Sequence, residues 1–438
     1  MSHATPFDPL PPHPPPSCGK REPLPTLSCG KREAPRPTAR RPGAAWRPPP
    51  APAPDHTPAT GIGPAAVNPI PGLFTIAPAD RDHEVGLRVG VTVLVPLLVL
   101  LATHRMDLAV YAVFGAFTGI YGRNLRPDPR LRAQLRGGGL MLAVLAAATL
   151  AGRLGVAEQA DPWGLVLWTT VVAGVCAFVT GWWGLRPAGS LFHIFAFGAV
   201  ASVPVKPPAA EGMLTAVVVV VWALAVGMAS RVHPGRRHRI VWPDPVLHDD
   251  GARRLILWEA AWYVVAAGVA GVVATLLAAP AGVHHNYWAM VDAVVPLVGH
   301  STRYRVSRGL QRVIGTFLGL ALTAGSILLD PPVIVLVLII AVLQVAAELY
   351  IARQYVIAQT VVTPLALLST MLVGVTAGGA GSLMAAGGLQ HLADRGVETV
   401  IGAAVGIVCV LFPWAWRRWV WGSPDPARAI PVVRGPGS

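Results

Sequence analysis

One acid interrupts an otherwise apolar run. Asp292 sits in WAMVDAVVPLVG, Trp288 to Gly299. An ionisable side chain at membrane depth is costly, so it marks either a proton- or substrate-coupling acid or one close enough to the outer surface to stay hydrated. Pro296, four residues on, lacks a backbone donor and can free a carbonyl there. Four arginines follow, Arg303, Arg305, Arg308 and Arg312, in a short basic turn that leads into a second apolar segment opening with Gly315, Thr316 and Gly319. Guanidinium groups bind carboxylates with charge-assisted, often bidentate geometry, so these arginines could attract an organic anion. The preference for positive charge on the cytoplasmic side accounts for most of them equally well. Arg308 and Arg312 stand at a helix entrance and have partners in an earlier stretch, Arg132 and Arg136, so these four are the arginines carried as site candidates.

Further polar groups gather elsewhere. Glu348, Arg353, Gln354 and Gln359 crowd one turn between apolar segments, which reads as a satisfied inter-helix network or as a substrate gate at the inner mouth. His193 occupies the corresponding place in the first half. A histidine near pKa 6.5 can respond to a proton gradient, although a lone membrane histidine also serves as a hydrogen-bonded packing residue. The substrate and coupling candidates are therefore Asp292, Glu348, Arg308, Arg312, Arg132, Arg136, His193 and Gln359. There is no phosphate-binding glycine loop with lysine and serine and no dinucleotide fingerprint after a strand. His284 and His285 lack the further ligand spacing of a zinc site. No enzyme activity, cofactor or metal is expected.

Composition says what must position these groups. Hydrophobic residues make up 53% and charged residues 13% of the 438, whereas soluble chains carry roughly 25% charged residues. Between Gly137 and Met228 there are too few charges to cover a soluble surface. The formal charge of +13 falls in short arginine clusters without the interleaved aromatics that stack bases, so nucleic acid is not an expected partner. An all-α polytopic membrane protein follows.

Counting apolar runs against the roughly 20 residues that cross a bilayer gives about twelve transmembrane helices. They lie near 85–103, 107–122, 137–153, 164–182, 189–204 and 212–230, then 255–279, 286–301, 311–329, 331–349, 354–374 and 397–416. Those near 107, 189 and 286 are short for a crossing. Arginines fill alternate loops, around 123–136, 186, 231–254, 303–312, 353 and 417–418, while the opposite loops hold only Arg105, Arg153, Lys206 and Arg395. That asymmetry places both termini in the cytoplasm. The expected organisation is a disordered Pro/Arg-rich cytoplasmic tail at 1–80, a six-helix repeat at 81–232, a cytoplasmic linker at 233–254, a second six-helix repeat at 255–420 and a flexible tail at 421–438.

The halves align on sequence. Ala109 falls on Ala289 and Arg123 on Arg303; four extra residues in the first loop then put Arg132 on Arg308, Arg136 on Arg312 and Gly139 on Gly315. Two halves that both begin inside are parallel repeats around an axis along the membrane normal, an architecture of transporters. Glycine pairs four apart, such as Gly315 with Gly319 and Gly402 with Gly406, are expected where helices approach closely.

The segment from Tyr287 to Gly319 resembles the fusaric acid resistance and aromatic acid exporter family. The resemblance rests on NYWAM at Asn286 to Met290, Pro296, RVSRGLQRVIGTFLG at Arg305 to Gly319, TPLAL at Thr363 to Leu367, and Val405, Gly406 and Ile407 in the last helix. It covers most of 85–416 and is sharp in the second half. It departs at Gly137, Gly138, Gly139 and Leu140, and at the soluble domain many relatives place between halves, here replaced by about 24 residues. It implies an integral protein of the cell membrane engaged in proton-driven export of aromatic or other organic acids; more distant relatives include plant malate channels. The expected function is secondary efflux of organic acids, with a small organic anion, protons and membrane lipid as partners, and a homo-oligomer is compatible with it. A passive organic-anion channel and a non-transporting membrane scaffold subunit are the alternatives.

Overall fold

Helix α9, Thr302–Leu329, inverts the pattern of a soluble helix. Its polar side, with Arg312, Thr316 and Thr323, is buried, while Leu328 and Leu329 are 78% and 82% exposed. Only a surrounding apolar solvent rewards that arrangement, and in lipid the backbone must satisfy itself within helices. The same outward apolar face recurs along the chain, and the protein is an all-α polytopic membrane protein.

The computed structural model describes residues 76, 82–156, 162–202, 207–232, 248–277, 285–299, 301–376 and 379–421, all within one unit, Pro64–Ser438. The tail expected at 1–80 apart from residue 76, most of the linker at 233–254 and the tail beyond 421 lie outside the described residues. Among the described residues nine helices are long and apolar enough to cross a membrane: α1 (Asp82–Ala102), α3 (Pro127–Arg153), α4 (Pro162–Trp182), α6 (Ala209–Met228), α7 (Asp250–Leu277), α9, α10 (Val333–Tyr350), α11 (Tyr355–Thr376) and α12 (Gly388–Trp421, apolar to Pro413). Three of the twelve expected segments are shorter apolar helices: α2 (Met106–Ile120), α5 (Leu191–Ala201) and α8 (Tyr287–Leu297). The 11 residues of α5 rise only about 16 Å, half a bilayer core of about 30 Å.

These short helices occupy the interior. All residues of Tyr287–Val294 and of Ala109–Ala116 are buried. Around them α8 packs against α7, α9, α12 and α5, and α2 against α1, α3, α6 and α11. Among the long helices α9 pairs with α11, α10 with α1 and α4 with α7, while α3 packs along the short α5. Close approach has visible causes. A Cβ on Gly402 or Gly406 would collide with the Ala289 or Ala293 carbonyl of α8, and one on Gly315 or Gly319 would come within 2.8 Å of a carbonyl of α11, as small-residue helix packing requires.

Two expected boundaries move. The arginines at 303–312 belong to the first turns of α9 and not to a loop, because Ser301 caps that helix by accepting the Tyr304 N–H at 3.2 Å. Arg395, expected in a loop, lies within α12, which begins at Gly388 rather than near 397. By contrast the expected break between α9 and α10 is where the prolines put it: Asp330 adopts φ 41°, and its carboxylate accepts the Leu383 N–H at 2.9 Å.

Candidate functional site

Asp292 is 0% exposed, so hydration at the surface does not account for it. Two guanidiniums hold it. Arg312 of α9 donates through Nε to Oδ1 at 2.6 Å, and Arg395 of α12 donates through Nη1 to Oδ2 at 2.7 Å and through Nη2 to Oδ1 at 3.0 Å. Burying one carboxylate is tolerable only with such pairing and hydrogen bonding. Two cations against one anion leave a net positive charge.

Each guanidinium has a second anchor. The Arg395 guanidinium lies over the Trp288 ring, 4.5 Å from its centroid, a cation–π contact. Arg312 Nη1 donates to Gln359 Oε1 at 2.5 Å, and the Gln359 amide donates to Thr363 Oγ1 at 3.0 Å and Thr316 Oγ1 at 3.2 Å. Gln359 and Thr363 belong to α11, whose Pro364 cannot donate to the Thr360 carbonyl one turn back. Arg395 Nε has no hydrogen-bond partner among the described residues.

A cavity of about 80 Å³ opens beside this triad. By that measure one water needs roughly 10–15 Å³, so there is room for several waters or a small organic molecule. Phe114 and Phe117 of α2, Phe192 and Phe195 of α5 and Trp288 of α8 form an aromatic wall. Arg312, Arg395, Gln359 and Glu348 supply the polar side. Asp292 does not line the cavity; it stands behind the two arginines. Glu348 is buried and takes part in a second network, with Arg123 Nη1 at 2.6 Å, while Arg123 Nη2 reaches Asp82 Oδ1 at 2.7 Å.

Of the candidates read from sequence, Asp292, Arg312 and Gln359 meet in one network, and Glu348 borders the same cavity. Arg308 is held apart by Tyr304 and by the Tyr355 ring, 4.0 Å from its guanidinium. Arg132 and Arg136 do not join them. Arg136 is half-buried, with its guanidinium toward the Trp183 carbonyl at 3.4 Å and the Trp183 ring. His193 is buried against the Tyr121 hydroxyl, 3.3 Å from Nε2, and does not line the cavity.

The alignment of Arg136 with Arg312 is corrected by burial. The buried face of α9 runs 312, 315, 316, 319, 323 and that of α3 runs 134, 137, 138, 141, 145, so Gln134 occupies the Arg312 register. Gly139, aligned with Gly315 on sequence, instead faces open space.

Arg395, Trp288 and the four phenylalanines were not among the residues singled out as site candidates. The available signal was the helical spacing of His391, Asp394, Arg395, Glu398 and Gly402, which places all five on one face. Among the described residues no group of three His, Cys, Asp or Glu side chains could hold a metal ion.

Residues 268–409, from the middle of α7 through most of α12, match the family described as fusaric acid resistance protein-like. The likeness to that family covers 142 of the chain's 438 residues, all in the C-terminal helices of this membrane protein. The matched region contains Asp292, Arg312, Glu348, Gln359 and Arg395, so the triad and the polar side of the cavity lie in the family segment. Over 183 residues, 42% of the chain, it is 26% identical to an uncharacterized membrane protein of Bacillus subtilis (strain 168), YvaC, and the match spans 25% of that protein's length. No solved structure matches the chain significantly.

Proposed function

We propose that this membrane protein is a secondary transporter of the cell membrane that exports small aromatic or related organic acids, coupled to protons, with the cavity as substrate site. The observation that carries the reading is the pairing of an aromatic wall with two guanidiniums across one small cavity. Ring faces of Phe195 and Trp288 suit an aromatic ring. The net positive charge left by Arg312, Arg395 and Asp292, together with the unpartnered Arg395 Nε, suits one carboxylate. Asp292 acts as the counter-ion that fixes both arginines. Glu348, bridged to Arg123 and Asp82, closes the cavity at the arginine-rich end and opens when a substrate anion competes for that cation.

The twelve segments are two parallel six-helix repeats on this reading, with both termini cytoplasmic. Support comes from the packing pairs: α3 with α5 repeats as α9 with α11, α1 with α10 as α7 with α4, and α2 with α11 as α8 with α5. The exchange of partners between halves is what a twofold axis along the membrane normal produces.

The test is uptake of benzoate into proteoliposomes under an imposed pH gradient, with protein-free vesicles subtracted. The reading expects accumulation against the benzoate gradient that a protonophore abolishes. A benzoate conductance indifferent to the pH gradient would identify a passive channel, and no protein-dependent flux would favour a scaffold role.

A further inference from the structure

Coupled transport needs a group that binds and releases a proton, and one buried acid has no part in the network above. Glu398 of α12 is 0% exposed, and neither carboxylate oxygen has a well-formed hydrogen bond among the described residues. The backbone of His285 faces it as a weak donor. Asp394, one turn back and 1% exposed, is by contrast fully engaged. Its Oδ2 lies 2.6 Å from His285 Nδ1 and its Oδ1 accepts the Gln390 amide at 2.6 Å. The His285 side chain keeps 26% of its surface accessible, and its ring lies 5.0 Å from that of His391.

These groups form a file from the surface at the start of α8 toward the triad. The ionisable groups that face Glu398 are Tyr287 and Asp292 from α8, with Arg312 of α9 behind Asp292, Asp394 and Arg395 from α12, and His285 ahead of α8. From α7, no ionisable residue follows Tyr263. Both arginines are already bound to Asp292. A buried carboxylate with no well-formed hydrogen bond and no cation of its own is far cheaper neutral than ionised.

We propose that Glu398 is the proton-binding site of the transport cycle, loaded from the surface through His285 and Asp394. This rests on the proton-coupled reading given above. An imidazolium at His285 gives its Nδ1 proton to Asp394 and is left neutral; Asp394 passes the proton to Glu398 and returns to a carboxylate. When Glu398 releases the proton, its negative charge competes with Asp292 and the substrate carboxylate for Arg395, three residues away on the same helix. Arg395 borders the cavity, so proton occupancy of Glu398 sets how strongly the cavity holds an anion.

Two measurements on the purified full-length protein test this separately from the transport reading. In infrared difference spectra at neutral pH, Glu398→Gln should remove a protonated-carboxyl band and Asp292→Asn an ionised-carboxylate band. If Glu398→Gln removes an ionised band, or none, the proposal is overturned whatever the protein transports. Where glutamine impairs folding, Glu398→Asp serves, and a protonated band at a shifted frequency is expected. In proteoliposomes, Glu398→Gln should lower gradient-driven benzoate accumulation by roughly an order of magnitude while benzoate exchange without a gradient changes by less than about twofold. Equal loss in both modes makes Glu398 structural and overturns the proposal. If the wild type moves no benzoate in either mode, the substrate reading fails and the infrared result alone decides the protonation of Glu398.

Discussion

On the proposed two-repeat reading, the N-terminal helices α1–α6 and the C-terminal helices α7–α12 agree in packing and differ in charge. Where α8 carries Asp292, α2 carries Ala112 at the aligned position; where α9 carries Arg312, α3 carries Gln134. Both faces are buried, yet only the C-terminal set places an ion triad there. The N-terminal set contributes the aromatic side of the cavity through α2 and α5. The C-terminal helices thus supply the charged side of the cavity and the N-terminal ones most of its apolar wall, a division that the proposed duplication would permit because neutral residues can replace a charge cluster without altering helix packing.

The largest effects should come from breaking that asymmetry. Arg312→Ala leaves Asp292 with one partner fewer in a buried network, a change that costs about 3–5 kcal/mol. Gln134→Leu in the matching register removes one long hydrogen bond, to the Gly119 carbonyl at 3.5 Å, and should cost about 1 kcal/mol or less. Thermal unfolding in detergent measures both, and comparable losses would dissolve the contrast between the halves.

A smaller effect sharpens the register. Gly315→Ala brings a Cβ within 2.6 Å of the Gln359 Cβ and should destabilise by about 1–3 kcal/mol. Gly139→Ala meets nothing within 4 Å and should stabilise α3 by up to about 1 kcal/mol. If the two substitutions behaved alike, the sequence alignment of these glycines would stand and the burial register would not. Smallest of all, Arg136→Ala should leave benzoate uptake within about twofold of wild type, since its guanidinium lies against Trp183 away from the cavity.

Much of this was legible in the sequence for identifiable reasons. Apolar runs bounded by arginines or prolines located the helices, and the shortness of the segments near 107, 189 and 286 pointed to α2, α5 and α8. The stop at Asp330 followed from Pro331 and Pro332. Asp292 stood out because a lone acid in an apolar run is conspicuous. Its burial was not legible, because its partners lie 20 and 103 residues away. Arg395 was read as a loop residue since a charge ahead of an apolar run looks like a helix boundary; in the fold it is a helical residue neutralised across the bundle. The aromatic wall escaped notice because phenylalanines in α2 and α5 read as lipid-facing or core residues until those helices are seen to converge.

The most direct test of the site is calorimetric titration of the purified protein with benzoate and with its neutral analogue benzyl alcohol, in wild type, Arg395→Lys and Arg136→Lys. Wild type should bind benzoate more tightly than benzyl alcohol by roughly tenfold or more, about 1.4 kcal/mol. Arg395→Lys should erase most of that preference, because lysine cannot reproduce the planar guanidinium fork and its stack on Trp288, while Arg136→Lys should keep it. Equal affinity for the two ligands in wild type, or the same loss in both variants, would contradict an anion site at the triad.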